Sequence, residues 1–192
     1  MTRIGILALQ GSVIEHKRML ERIEQVQCVE IKKKEQLKDL DGMILPGGES
    51  TAIAKLMEDF DIAFSLKERI EAGMPVWGTC AGLILLAKHI QGEKAHLGVM
   101  DITVRRNAYG RQLDSFEAEA VIPKISGNPL PLVFIRAPWI EAVGPEAEVL
   151  LCIDNKIVAA QEKNMLATSF HPELTTDLSL HRYFVQLCKS VK

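Results

Sequence analysis

The first half of the chain alternates short apolar runs with longer segments in which apolar residues recur every three or four positions. A short apolar run bounded by turn residues predicts a buried strand, and the longer period predicts an amphipathic helix. Strands that alternate with helices are typical of a mostly parallel sheet covered on both faces. We therefore predict an α/β protein with a three-layer open sheet, with strands over 4–9, 29–31, 42–45 and 76–77 and helices over 12–23, 51–57, 62–70 and 83–87.

The pattern changes from residue 102 onward, where shorter apolar runs are separated by glycine, proline and asparagine. Short strands with turn residues between them are typical of antiparallel pairing. We expect these runs to extend the same sheet rather than to form a second domain, so that 1–192 is a single domain. The runs cover 116–121, 132–135, 149–153, 157–160 and 165–168, and an amphipathic helix over 178–191 follows them.

The first predicted helix begins at Ser12 and carries Glu15 three positions later. In a capping box, a serine side chain bonds to the backbone N–H three residues on, and the glutamate there bonds back to the serine N–H. The spacing therefore predicts that Ser12 and Glu15 cap this helix.

Composition narrows the range of functions. A chain of 192 residues with 47% hydrophobic residues can build a sizeable core without support from disulfides or a metal. The net charge of −2 argues against a nucleic-acid or membrane partner. The four cysteines, Cys28, Cys80, Cys152 and Cys188, lack C-x-x-C spacing, which indicates neither a zinc site nor a redox pair. The apolar run at 4–9 is too short for a signal peptide or a membrane span, so we expect a cytoplasmic protein with reduced thiols.

The pentapeptide Gly78-Thr79-Cys80-Ala81-Gly82 lies between an apolar run and a helix-like segment. Small residues around a nucleophile, set between a strand and a helix, are typical of a nucleophile elbow, here with cysteine instead of serine. Such a turn exposes the sulfur at a helix N-terminus, where the helix dipole favours the thiolate. We predict that Cys80 is a catalytic nucleophile; the alternative is a buried, small hydrophobic residue.

The segment Ser169-Phe170-His171-Pro172-Glu173 follows another strand-like run. A cysteine nucleophile needs a base, and the base needs a third group that fixes its tautomer and stabilises its charged form. His171 and Glu173 suit these two roles, and Pro172 favours an extended corner that directs both side chains to one point. Taken alone, each would be a structural or solvated side chain; together with Cys80 they predict a catalytic triad.

The loop Pro46-Gly47-Gly48 follows the third predicted strand. Thioester chemistry passes through an oxyanion, which needs two N–H donors. We expect one donor from Ala81 and the other from Gly47 or Gly48. A phosphate site is disfavoured because the glutamate that follows would repel an anion. We expect no cofactor. Since ligand sites of open α/β sheets lie beyond the carboxyl ends of the strands, one rim should hold Gln10, Gly47, Gly48, Cys80 and His171.

Six segments carry a family resemblance: Leu9-Gln10-Gly11, residues 46–51 (Pro-Gly-Gly-Glu-Ser-Thr), the elbow at 78–82, residues 105–112 (Arg-Arg-Asn-Ala-Tyr-Gly-Arg-Gln), residues 134–138 (Phe-Ile-Arg-Ala-Pro) and residues 169–173. Together they resemble the class I (triad) glutamine amidotransferases, and among these most closely the glutaminase subunits of pyridoxal 5′-phosphate synthases. The elbow and His-Pro-Glu are shared across that superfamily, whereas the loop and the two arginine motifs are specific to these subunits. The resemblance runs from the first strand to the last helix and implies a flavodoxin-like fold with an antiparallel extension.

The resemblance implies that the substrate is L-glutamine, hydrolysed to L-glutamate and ammonia through a thioester on Cys80. A planar arginine fork can pair with the α-carboxylate, and a carboxylate can accept from the α-ammonium. Arg106 or Arg136 suits the first role and Glu49 the second, while Arg105 and Arg111 stay ambiguous. The implied glutamine contacts are Gly48, Glu49, Ser50, Arg106, Ile135 and Arg136.

The resemblance also implies a partner protein. Ammonia is a nucleophile only while unprotonated, so it should pass along a shielded path to another polypeptide, because so short a chain carries no synthase domain. The implied partner is the synthase subunit, a (β/α)8 barrel that forms a dodecamer decorated by glutaminase chains, and Gln10 is the candidate residue coupled to its docking. Two alternatives stay open: a glutaminase that serves a different synthase, such as that for imidazole glycerol phosphate, and a non-catalytic module that has kept the fold.

Overall fold

The structure, a computed structural model, describes residues 1–106 and 115–191. Its strands are β1 (Thr2–Leu7), β2 (Val26–Ile31), β3 (Gly42–Leu45), β4 (Val76–Thr79), β5 (Ala87–Ile90), β6 (Met100–Arg105), β7 (Ser115–Ile122), β8 (Ser126–Ile135), β9 (Trp139–Val143), β10 (Ala147–Ile153), β11 (Lys156–Glu162) and β12 (Met165–Thr168). Its α-helices are α1 (Val13–Glu21), α2 (Ser50–Asp59), α3 (Ala63–Glu71), α4 (Ala81–Leu86) and α5 (Ser179–Ser190), with 3-10 turns at Lys34–Leu37 and Pro172–Leu174. No helix within these ranges is long and apolar enough to cross a membrane.

One half of the main sheet is parallel. Its strands have the order β2-β1-β3-β4-β12, and every neighbouring pair in this half runs parallel. An order of 2-1-3-4-5 is that of flavodoxin-like folds, with β12 here as the fifth parallel strand. The predicted fold class is confirmed.

Helices cover both faces of the parallel half. Along β3, Met43 and Leu45 pack in one core with α2, α3 and α4, whereas Ile44 between them packs in a second core with α1 and α5. All three side chains are fully buried. Strands buried on both faces are near-continuous apolar runs, as this sequence has them. The three-layer arrangement is therefore as the sequence predicts.

A mostly antiparallel extension continues the same sheet beyond β12, although its last strand, β5, pairs parallel with β6. Strand β11 pairs antiparallel with β12 and is followed by β9, β6 and β5, while β10 pairs with β11. The expectation that the second half extends the sheet is confirmed for these strands.

Strands β7 and β8 depart from that expectation because they form a separate two-stranded sheet. Pro129 and Pro131 lie in β8 and have no N–H to offer, so this strand is poorly suited to a central position in the main sheet. The hairpin is held instead by its aromatic face. Phe116 stacks on Phe134 with ring centroids 4.4 Å apart, and Phe134 meets Phe170 edge-on.

Several predicted boundaries are wrong; β2, for example, begins at Val26 rather than at residue 29. The first strand ends at Leu7 rather than at residue 9. The helix after the elbow ends at Leu86, and Ala87 begins β5, a strand that the apolar pattern does not separate from the helix. The physical reason is tertiary, because Leu97 N and Val99 N donate 3.0 Å hydrogen bonds to the carbonyls of Leu85 and Leu86.

Gly82 allows α4 to lie directly on β3. A Cβ at this position would stand 1.9 Å from the carbonyl oxygen of Leu45, which no side chain tolerates. The second glycine of the pentapeptide therefore permits the close approach that fixes the start of α4.

Candidate active site

Cys80 stands between β4 and α4 in a conformation that residues other than glycine rarely adopt, with φ 48° and ψ −102°. Its backbone N–H donates a 2.8 Å hydrogen bond to the carbonyl of Thr168 at the end of β12. The side chain is largely buried but borders a cavity. A strained backbone held by the surrounding sheet is typical of functional sites.

His171 and Glu173 are joined by the short turn at Pro172–Leu174 that follows β12. The backbone N–H of His171 donates to the carbonyl of Val133, 2.8 Å away in β8, so the hairpin holds this corner in place. His171 Nδ1 lies 2.8 Å from Glu173 Oε1, and both side chains are buried. Cys80 also raises the pKa of the His171 ring, and the two residues line the same cavity.

Gly47 packs against this group. A Cβ on Gly47 would lie 2.3 Å from His171 Cε1 and 3.4 Å from Cys80 Cβ, so only glycine leaves room for the imidazole. The carbonyl of Gly47 accepts a 3.0 Å hydrogen bond from the N–H of Ser12. The glycine loop is therefore held beside the thiol and the ring.

Burial disfavours the charged forms of His171 and Glu173, but their hydrogen bonds and neighbouring charges outweigh this effect. Burial lowers the pKa of His171, but the hydrogen bonds and charges of Cys80 and Glu173 raise that pKa well above its ordinary value. Burial raises the pKa of Glu173, but nearby His16 and the hydrogen bonds from His171 and Ser12 bring that pKa well below its ordinary value. At neutral pH the pair is therefore an imidazolium beside a carboxylate.

A cavity of about 210 Å³ opens beside the sulfur. It contains all six predicted glutamine contacts together with Gln10, Cys80, Ala81 and His171, whereas Ile84 and Pro138 line it without having been predicted. The predicted contacts in its wall are Gly48, Glu49, Ser50, Arg106, Ile135 and Arg136. The structure thus brings together segments from the ends of β1, β3, β4, β8 and β12.

Charged side chains stand at the mouth of this cavity in two ion pairs. Glu49 pairs with Arg136, which has a positive φ of 44°. Arg106 Nη1 lies 2.6 Å from Glu93 Oε1, a partner that the sequence did not indicate. The rest of the predicted arginine motif, Asn107 to Gln112 with Arg111, lies outside the described residues.

Other polar groups complete the wall. Ser50 Oγ is buried and, within residues 1–106 and 115–191, has no hydrogen-bond partner. Gln10 Oε1 accepts a 2.9 Å hydrogen bond from the N–H of Glu49, so Gln10 holds the loop that carries Gly48. The Sγ of Cys80 lies 3.8 Å from the carbonyl of Ile135. The cavity therefore presents a thiol, charges of both signs and an unsatisfied hydroxyl to a small polar ligand.

Comparison with known proteins agrees with this geometry. Residues 6–190 match the family model described as the SNO glutamine amidotransferase family. The chain belongs to this family. A pyridoxal 5′-phosphate synthase subunit PdxT of Clostridium botulinum is 57% identical over 186 residues, 96% of each chain, and one of Haemophilus influenzae is 56% identical over 97% of this chain and 98% of its own.

Solved structures of glutamine amidotransferases have the same fold. One crystal structure described as a glutamine amidotransferase is 44% identical, covers 97% of this chain and 98% of its own, and superposes with a TM-score of 0.91. The SNO glutamine amidotransferase fold thus extends over nearly the whole chain.

The site of this SNO-family chain also contains residues that the sequence did not reveal. Ser12 Oγ donates a 2.6 Å hydrogen bond to Glu173 Oε1, and it makes no cap hydrogen bond to α1, so the predicted capping box with Glu15 is wrong. One turn further along α1, His16 Nε2 lies 3.5 Å from Glu173 Oε2. The spacing of four residues places Ser12 and His16 on one helix face, but nothing in the sequence indicates that this face meets Glu173.

Replacing Ser12 tests which of its two possible partners matters. We expect Ser12→Ala to lower the free energy of unfolding by about 1.5–3 kcal/mol, because it removes a hydrogen bond to a charged group. Glu15→Ala, the matched control, should stay within about 0.5 kcal/mol because the start of α1 has no side-chain cap hydrogen bond. Urea unfolding at pH 7 measures both, and equal costs for the two variants would contradict the assignment.

Proposed function

We propose that this chain is the glutaminase subunit of a pyridoxal 5′-phosphate synthase, which hydrolyses L-glutamine to L-glutamate and ammonia. The observation that carries the proposal is the placement of Cys80 and His171 at one cavity, with His171 hydrogen-bonded to Glu173, in a chain 57% identical to a subunit of that synthase. Cys80 is the nucleophile, His171 the general acid and base, and Glu173 the group that orients and stabilises the imidazolium.

The first half of the reaction makes a thioester. Cys80 Sγ attacks the side-chain amide carbon of glutamine, and the carbonyl oxygen becomes an oxyanion. His171 gives its proton to the amide nitrogen as the C–N bond breaks, so ammonia leaves and a γ-glutamyl thioester stays on the enzyme. The oxyanion takes N–H donors from Ala81 and from Gly47 or Gly48.

The second half releases glutamate. Neutral His171 takes a proton from water, and the resulting hydroxide attacks the thioester carbon. The C–S bond breaks, L-glutamate leaves, and Cys80 and His171 return to their starting forms. Glu173 keeps its charge throughout because its role is to hold the ring and balance its charge.

Recognition of glutamine uses the charges at the cavity mouth. Glu49 accepts from the α-ammonium, and Arg106 or Arg136 pairs with the α-carboxylate through its planar fork. Gly48, Ser50 and Ile135 complete the contacts, and the buried, unpartnered hydroxyl of Ser50 offers a hydrogen bond to the ligand.

The ammonia then passes to a partner. We take this partner to be the synthase subunit, a (β/α)8 barrel assembled as a dodecamer, reached by a path that excludes water. The chain works as one glutaminase domain over 1–192 in the cytoplasm, where its free cysteines stay reduced.

Removing the nucleophile tests the proposed chemistry. Cys80→Ala should leave less than about one thousandth of the ammonia release from glutamine, because the covalent route is lost. His171→Ala should be nearly as damaging and Glu173→Ala less so, since an orienting group contributes less than the base. Cys152→Ala, at an exposed thiol, is the control and should keep full activity. Turnover above that limit in Cys80→Ala would rule out the thioester.

Removing an arginine at the cavity mouth tests recognition. Losing a desolvated charge pair costs about 2–5 kcal/mol, so Arg106→Ala or Arg136→Ala should lower kcat/KM by about 30-fold or more. Arg105→Ala is the matched control, because Arg105 lies next in the chain but contacts Glu141 and Trp139 instead of the cavity. Near wild-type kcat/KM for both cavity variants would refute the carboxylate clamp.

Dependence on the partner is the third test of the proposal. The Gly47 carbonyl is bonded to Ser12 N–H, and turning the Gly47–Gly48 peptide to redirect its N–H would break that bond. We expect low kcat for the isolated chain and a rise in kcat, larger than any fall in KM, when the barrel subunit is added. Gln10→Ala should reduce this stimulation more than the basal rate. Full kcat without partner would show that the site is preassembled.

A further inference from the structure

A row of buried polar side chains meets Glu173 at the oxygen that His171 does not contact. His16 on α1 and His181 on α5 are fully buried, and His16 Nδ1 lies 3.0 Å from His181 Nε2. The other ring nitrogen, His16 Nε2, lies 3.2 Å from Thr79 Oγ1 and 3.5 Å from Glu173 Oε2. Polar groups are costly to bury, so packing alone does not account for two imidazoles at this position.

The two oxygens of Glu173 have unequal partners. Oε1 accepts hydrogen bonds from Ser12 Oγ at 2.6 Å and from His171 Nδ1 at 2.8 Å. Oε2 is buried and, among the described residues, has no hydrogen bond of normal geometry. An ionised, buried oxygen without a donor is unfavourable, so a proton on His16 Nε2 would stabilise the carboxylate as an ion–dipole contact.

The hydrogen-bonding capacity of the two rings selects one tautomer. Burial lowers the pKa of His16, although Glu173 opposes this, and burial lowers the pKa of His181 still further, so each ring carries one proton at neutral pH. A proton on His16 Nδ1 would turn a bare Nε2 towards the carboxylate and leave a buried N–H at His181 Nδ1, an atom without a partner in the described residues.

Protons on both Nε2 atoms avoid these two costs. His181 Nε2–H then donates to His16 Nδ1, and His16 Nε2–H points at Thr79 Oγ1 and Glu173 Oε2. The atom left over is a bare nitrogen at His181 Nδ1, and an unpaired acceptor is tolerated better than an unpaired N–H. The neighbouring charges are His171 and Glu15 for His16, and Arg22 for His181.

We propose that His16 is a positioning residue for Glu173, with its Nε2–H directed at the second carboxylate oxygen, and that His181 holds His16 in the tautomer this requires. The row then runs from α5 through α1 to the carboxylate that orients His171. The proposal rests on the proposed function only for its effect on turnover, because the tautomers and the coupling to Glu173 are properties of the folded chain.

The tautomers can be measured in the unmodified protein. In 15N-histidine-labelled chain at pH 7, we expect His16 to show a protonated Nε2 and a bare Nδ1, with the same pattern for His181. Resonances are assigned by loss of each signal in His16→Gln and His181→Gln. A proton on His16 Nδ1 would overturn the proposal.

A double-mutant cycle tests the coupling to the carboxylate. His16→Leu should lower the equilibrium constant for folding in both backgrounds. We expect the fold-reduction to be at least about tenfold smaller in Glu173→Gln than in the wild type, which corresponds to a coupling of about 1.4 kcal/mol. A side chain that merely filled space would give equal effects in both backgrounds.

The matched control for the cycle is Phe184→Leu. Phe184 is equally buried, and its ring packs on Trp77, which also neighbours His16 and His181. Its effect should be the same in both backgrounds. If the effects of His16→Leu and Glu173→Gln on folding were additive within twofold, the positioning role would be refuted. It would also be refuted if Phe184→Leu showed the same coupling to Glu173→Gln.

Turnover supplies the functional readout. His16→Leu should lower kcat for ammonia release by about tenfold or more with little change in KM, and His16→Gln, which returns an N–H, should recover part of the loss. A kcat unchanged in both variants of an active enzyme would refute the positioning role. If the wild-type chain with its partner released no ammonia, the proposed function would fail while the tautomers and the cycle would still decide this inference.

Discussion

The pairing of β4 with β12 is the constraint on which the rest of the site depends. Thr79 and Thr168 are register partners in parallel strands, so the chain leaves the sheet at the same level and on the same edge in both places. The N–H of Cys80 then bonds to the carbonyl of Thr168, which holds the elbow against the start of the His171 segment. Cys80 and His171, which are 91 positions apart in sequence, are thereby brought together before any side chain is considered. A shift of one register step would turn every side chain of β12 to the opposite face and carry His171 away from the sulfur.

The carboxylate of Glu173 is the most demanding group in this arrangement. A buried charge destabilises a fold unless it is paired and hydrogen-bonded, and each of its donors comes from a different part of the chain. Ser12 lies at the start of α1, and His171 lies two residues away across Pro172. The stability of the fold and the orientation of the imidazole therefore depend on the same contacts, which explains why polar residues occupy a core that could otherwise be apolar.

The sequence predicts the alternation of strands and helices because parallel strands are apolar throughout and the intervening helices are amphipathic. The sequence also identifies Cys80, His171 and Glu173 as candidate site residues from the turns in which they lie, although the roles of these residues stay predictions. It does not predict the role of Ser12, since its spacing to Glu15 fits a helix cap as well as anything else, and the partner that it binds is 161 residues away. The sequence also does not predict the end of α4 or the separate β7–β8 hairpin, because contacts between distant residues determine both. The end of α4 depends on hydrogen bonds from Leu97 and Val99 to its last carbonyls, and the hairpin depends on an aromatic stack.

Ser12 joins the two parts of the site that catalysis must coordinate. Its backbone N–H holds the carbonyl of Gly47, and its hydroxyl holds Glu173, so one residue contacts both the glycine loop and the carboxylate. Gln10, two residues earlier, bonds the N–H of Glu49 on the same loop. The short segment after β1 therefore contacts the loop, and α1 continues from this segment to His16. Any displacement of this segment changes the support of the loop and of the carboxylate together, because both are bonded to it, whereas Cys80 and His171 remain fixed by the pairing of β4 and β12 and by the carbonyl of Val133.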